Sequence, residues 1–103
     1  MPAAYSDLAM LPAGVVVAPA SIASHILRYT PHSVVSAGFH RNGASVIDNL
    51  DFLEGSDERA LAIASERSVA YAVTCGENAL LASRGWLEPV PGNGPLRVYR
   101  RAR

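Results

Sequence analysis

Apolar positions along the chain fall into short blocks whose spacing switches between strand and helix patterns. Gly14-Val15-Val16-Val17-Ala18 is a continuous apolar run closed by Pro19. It predicts a short strand buried on both faces. From Ser21 to Tyr29, Ile22, Ile26 and Tyr29 recur at i, i+4 and i+7, one stripe of a short amphipathic helix. Pro31 stops it. His32–Ala37 predicts a second strand, and Gly38–Gly43 a loop with glycine at either end. Ser45–Leu53 predicts a helix with Val46, Leu50 and Leu53 on one face. Gly55 breaks it, and Ser56 reads as the N-cap of the next helix. Asp57 and Glu58 sit in its first turn, where the helix dipole favours negative charge. That helix runs to about Arg67, with Ala60, Leu61 and Ala64 inward. Val69–Cys75 predicts a third strand. Glu77–Arg84 predicts a short helix with Gly85 as its C′ residue. Trp86–Val90 and Leu96–Arg100 predict a hairpin around the turn-rich Pro91–Pro95.

The order β-α-β-α-β-α-β-β predicts an α/β fold: a small, mostly parallel sheet with helices, and a C-terminal antiparallel hairpin at the edge. Val15–Val17, Val34–Val35 and Val69–Val73 are the expected central parallel strands. The expected core is Val16, Ile22, Ile26, Val35, Leu50, Leu61, Ala64, Tyr71 and Val73. Residues 1–13 read as a lead-in or a connection from an upstream segment, with Asp7–Leu11 as one helical turn. Residues 14–103 read as a single α/β domain.

Composition narrows the function classes. The 103 residues carry nine basic and nine acidic side chains, and half the chain is apolar. That balance excludes a disordered chain and a strongly basic nucleic-acid binder. No apolar run approaches the roughly 18 residues that span a bilayer. The N-terminus has neither the charged region nor the apolar core of a signal peptide. All nine basic residues are arginine and 17 residues are alanine, as a GC-rich bacterial genome produces. A single cysteine, Cys75, excludes an intrachain disulfide.

Candidate chemistry is concentrated in His40-Arg41-Asn42. This loop follows a parallel strand, where ligands of open α/β sheets bind. Arg41 can hold a phosphate or carboxylate through its planar fork, and His40 can exchange a proton near neutral pH. The alternative is that Arg41 folds back onto Asp48 or Asp51 and caps the loop. His32 and Cys75 are weaker ligand-binding candidates. Cys75 ends the third strand, with His32 or His40 as its potential base. Otherwise it is a small side chain ending an apolar strand. His25, His32 and His40 lack the spacing of a compact metal motif, so no metal is expected. No glycine-rich phosphate loop follows the first strand, and no cofactor is expected. Arg97, Arg100, Arg101 and Arg103 form a basic end, read either as a solvated terminus or as a contact for anionic headgroups.

The segment Thr30-Pro-His-Ser-Val-Val-Ser-Ala-Gly-Phe-His-Arg-Asn42 resembles a stretch in the soluble C-terminal region of certain bacterial polytopic membrane proteins. These are glycosyltransferase-like and mostly uncharacterised. The resemblance extends through the upstream Val16–Leu27 run, the Tyr71-x-Val73-x-Cys75 strand, Gly85-Trp86-Leu87 and Leu96-Arg-Val-Tyr-Arg100. It implies a small extracytoplasmic, periplasmic domain that follows transmembrane helices. Its implied role is that of a non-catalytic accessory domain shaping an acceptor or lipid-phosphate site. The implied partners are the transmembrane portion of a parent protein, or a membrane partner, and a lipid-linked phosphate. The catalytic acidic residues of such enzymes belong to loops between membrane helices, so no catalytic residue is carried onto this chain. Without the resemblance, the chain reads as a free-standing cytoplasmic anion- or nucleotide-binding domain. A small enzyme using His40, Arg41 and Cys75 comes last.

Overall fold

The computed structural model describes residues 5–35, 43–76, 78–92 and 95–102. A five-stranded sheet has the order β2-β1-β3-β5-β4. Its strands are β1 (Val15–Val17), β2 (Ser33–Val34), β3 (Val69–Thr74), β4 (Leu87–Val90) and β5 (Arg97–Arg101). β1 pairs in parallel with β2 and with β3, whereas β5 runs antiparallel to both β3 and β4. The fold is therefore α/β, with the hairpin at one edge. β2 forms the opposite edge rather than a central position; β3 holds the centre. In β4, Pro89 lies opposite Tyr99.

Helices cover both faces. On one side lie α1 (Ser6–Ala9) and α2 (Ala20–Tyr29). There Leu8, Ile22 and Ile26 pack with Val16, Tyr71 and Val73. On the other lie α3 (Gly43–Glu54), α4 (Asp57–Glu66) and α5 (Ala79–Ala82). There Phe52, Ile63 and Leu81 pack with Val17, Ala72 and Tyr99. β1 alternates between the two cores, Val15 and Val17 one way, Val16 and Ala18 the other, so an uninterrupted apolar run is what such a strand needs. Tyr5 and Leu8 are buried as well, so residues 5–11 pack against the sheet.

Two core expectations fail, both by a rotation of a helix. Leu50 and Leu61 are 50% and 42% exposed. On α3 the inward face is Asp48, Asn49, Phe52 and Leu53. Asp48 binds Arg59 Nη2 at 2.8 Å and Arg67 Nε at 2.7 Å, which draws a carboxylate inward and turns Leu50 out. On α4 the inward stripe is Ala60, Ile63 and Ala64; Leu61 shares the spacing but points one step round the helix, about 100° away. Ser56 does cap α4, accepting from the Arg59 amide at 3.1 Å. α5 begins and ends inside its expected span. Asn78 is its N-cap, its Oδ1 accepting from the Leu81 amide at 3.1 Å. Ser83, rather than a turn at Gly85, closes it.

The Thr30-Pro31-His32 motif is a helix terminator. Thr30 Oγ1 donates to the Ile26 carbonyl at 2.7 Å and accepts from the His32 amide at 3.2 Å. Gly14 makes room on the neighbouring strand, since a Cβ there would lie 2.7 Å from the Ala70 Cβ. Only glycine allows that approach.

Candidate functional site

The parallel strands end at one edge, and their C-termini bring several polar elements together. β1 leaves through Ala18 and Pro19 into α2. Pro19 is the N-cap of α2, with no side-chain cap and no acidic residue in the first turn. The positive end of this ten-residue helix therefore faces the edge without a compensating carboxylate on α2 itself. β3 ends beside it with Thr74, whose Oγ1 donates to the Gly76 carbonyl at 2.6 Å. Cys75 follows and is exposed.

Asn49 links the two layers here. Its Nδ2 donates to the Ala18 carbonyl at 3.0 Å, and its Oδ1 has no hydrogen-bond partner among the described residues. Asn49 is 5% exposed. Sequence reasoning assigns Asn49 no role, because a polar residue on a helix normally reads as solvated. Its place one position after Asp48, between Val46 and Leu53, is the available signal.

The chain leaves β2 at this same edge through Val35 and returns at Gly43, the start of α3. His40, Arg41 and Asn42 fall between these points and lie outside the described residues. Asp48 and Asp51, the expected anchors for a folded-back Arg41, already pair with Arg59, and Asp48 also with Arg67.

His32 sits at the other end of the sheet. Its Nδ1 accepts from the Gly14 amide at 3.1 Å. Nε2 then carries the proton and donates to the Leu8 carbonyl at 2.7 Å. The ring is 3% exposed and meets Tyr71 edge-on, 5.2 Å between centroids. Both nitrogens are thus committed to backbone groups that fasten α1 and β1 to β2. Pairing of His32 with Cys75 does not occur. In a parallel sheet the residue before one strand and the residue after another lie at opposite ends, here separated by roughly 20 Å along the strand direction.

Around Cys75 the electrostatics fall on Tyr5. Burial, then the Cys75 thiol and the Tyr29 hydroxyl, push the Tyr5 phenol above its ordinary pKa. Tyr5 stacks on His25 at 5.9 Å, and His25 on Tyr29 at 6.1 Å. Among the described residues no group of three or more His, Cys, Asp or Glu side chains converges as a metal cage would require. No helix of the described residues is long and apolar enough to cross a membrane.

One solved structure with this architecture is the C-terminal globular domain of an oligosaccharyltransferase from Archaeoglobus fulgidus. It aligns over 93% of this chain and 90% of that one with a TM-score of 0.66. The two domains share a fold. Their sequences are 15% identical, so the likeness speaks for the fold alone. No protein-family model and no curated protein matches the sequence.

Proposed function

We propose that this chain is a non-catalytic accessory domain of a membrane glycosyltransferase-like protein, placed outside the cytoplasm against the membrane portion of its parent. The observation that carries the reading is the shared fold with the C-terminal globular domain of an oligosaccharyltransferase over nearly the whole of both chains. The sequence resemblance carried by Thr30–Asn42 points the same way. In this reading residues 1–13 lead in from an upstream segment. The segment His40-Arg41-Asn42 meets an anionic group, either a lipid-linked phosphate or a carboxylate of the membrane portion. Arg41 makes the main contact. The uncapped positive end of α2 at the same edge adds to the attraction for an anion.

The test uses the complete gene product that contains this sequence, assayed in membranes for transfer from a labelled lipid-linked sugar. Arg41→Ala is expected to impair transfer while leaving the melting temperature of the purified 103-residue chain unchanged. The purified chain alone is expected to turn over no sugar phosphate. Turnover by the isolated chain, abolished by Cys75→Ala, would overturn the reading in favour of a small enzyme. A gene product that fractionates wholly with the cytosol would instead overturn it in favour of a free-standing binding domain.

A further inference from the structure

A concavity lies between α5 and the β4–β5 hairpin, next to the end of β3, where Thr74 pairs with Arg97. It is a cleft of about 580 Å³, within the range of small-molecule sites. Its walls are largely apolar, with Ala79, Pro89 and Val98 among them. Three polar side chains also line it: Asn78, Tyr99 and Arg97.

What these polar groups have left to offer is decided by their bonds. The Asn78 Oδ1 already accepts from the Leu81 amide, so what Asn78 chiefly offers a ligand is its Nδ2 donor pair. The Tyr99 hydroxyl oxygen accepts from the Asn78 amide at 3.3 Å, which leaves its proton to give. Tyr99 is 4% exposed, so this donor stands in a largely dry wall where a bond counts for more than in water. Arg97 has another partner as well and contributes positive charge at the rim. Among the described residues no carboxylate lines the cleft. The wall therefore presents hydrogen-bond donors and positive charge over an apolar floor.

We infer that this cleft binds a small amphipathic anion, an apolar body that carries one carboxylate or phosphate headgroup. The headgroup accepts from Tyr99 Oη and Asn78 Nδ2 near Arg97, and the body lies over Ala79, Ala82 and Pro89. A donor-only headgroup would leave the Tyr99 hydroxyl proton and the Asn78 Nδ2 protons unpaired. A hydrocarbon would leave them unpaired. The inference is independent of the membrane-protein reading and stands or falls on the cleft itself.

The experiment titrates the ¹⁵N-labelled 103-residue chain with octanoate, octyl phosphate, octanol and octylammonium, each below its micelle concentration. Saturable shifts are expected for the Asn78 side-chain amide and for the backbone of Ala79, Val98 and Tyr99, with both anions. Octanol and octylammonium are expected to bind at least about tenfold more weakly, the value of one lost bond to a charged group. Whichever anion binds more tightly identifies the headgroup. Tyr99→Phe keeps the ring and removes the donor, and a loss of roughly tenfold is expected. Ala82→Phe, at an exposed cleft-lining position, is expected to block the cleft without touching the polar groups. It serves if Tyr99→Phe unfolds. Equal binding of octanol and octanoate would overturn the inference, as would anion shifts that map elsewhere, that survive Ala82→Phe, or that do not appear at all.

Discussion

Arg84 is a cation placed where the fold has little water to offer it, and its removal should show how much of the helical layer depends on it. Its side chain is 1% exposed. Nη1 donates to the Phe52 carbonyl and Nη2 to the Gly55 carbonyl at 2.9 Å. The guanidinium thus closes the C-terminal end of α3 while lying 5.6 Å from the Phe52 ring centroid. Nε faces Asp57 at 3.6 Å, too far for a hydrogen bond, and has no hydrogen-bond partner among the described residues. Burial lowers the Arg84 pKa, and Asp57 opposes that shift. Arg84→Met keeps the apolar stem and removes the fork. Two bonds from a charged donor to carbonyls sum to about 3–6 kcal/mol, and removing a buried unpartnered N–H returns about 1–3 kcal/mol. Taken at the middle of both ranges, the expected net loss is about 2–3 kcal/mol, a large share of the stability of a domain this size. It corresponds to a fall in melting temperature of roughly 10–25 °C. Urea unfolding followed by circular dichroism and by Trp86 fluorescence measures it, since Trp86 meets Phe52 edge-on at 5.7 Å. Arg100→Met is the control, because Arg100 pairs with Glu88 in the open and should change stability by less than about 1 kcal/mol. If Arg84→Met loses less than about 1 kcal/mol with an unchanged denaturant slope, the capping argument is wrong.

Two further outcomes follow from burial and from charge. Ile63→Ala should cost about 2–5 kcal/mol, whereas Leu61→Ala should stay within about 0.5 kcal/mol; chemical denaturation of the two variants side by side checks the rotation of α4, and equal losses would contradict it. Tyr5 ionises near pH 10 in the unfolded chain and at higher pH when folded. Its contribution to stability is complete below about pH 10 and is lost as pH rises through the folded value. Tyr5→Phe should therefore flatten the alkaline fall in melting temperature, and an unchanged slope between wild type and variant above pH 10 would refute this.

The sheet was legible because β1 and β3 must be apolar on both faces, and an uninterrupted run as short as Val15–Ala18 fits a doubly covered strand far better than a helix. The hairpin was legible from its turn residues. Helix rotation was harder to read. Leu50 and Leu61 satisfy the spacing of an inward stripe as well as their neighbours do. Asp48 and Asn49 take the inward positions only because Arg59, Arg67 and the Ala18 carbonyl wait for them in space. Such long-range polar partners leave no local trace. His32 misleads for a related reason. Its residue type suggests chemistry, but both ring nitrogens serve backbone groups 18 and 24 residues away. The donor wall of the cleft was invisible for the same cause, since Asn78 and Tyr99 meet only when α5 folds over β5.

Pro89 has a consequence for assembly. β4 is the outermost strand on its side of the sheet, and an open border of this kind ordinarily invites another chain to pair with it. Pro89 has no N–H to give an incoming strand, and the adjacent Glu88 puts a charge on the same short border. Strand addition and edge-to-edge self-association are therefore opposed on the β4 side. A companion polypeptide that engages this flank has to do so with side chains, and the hairpin can face a crowded surface without being drawn into a continuous sheet.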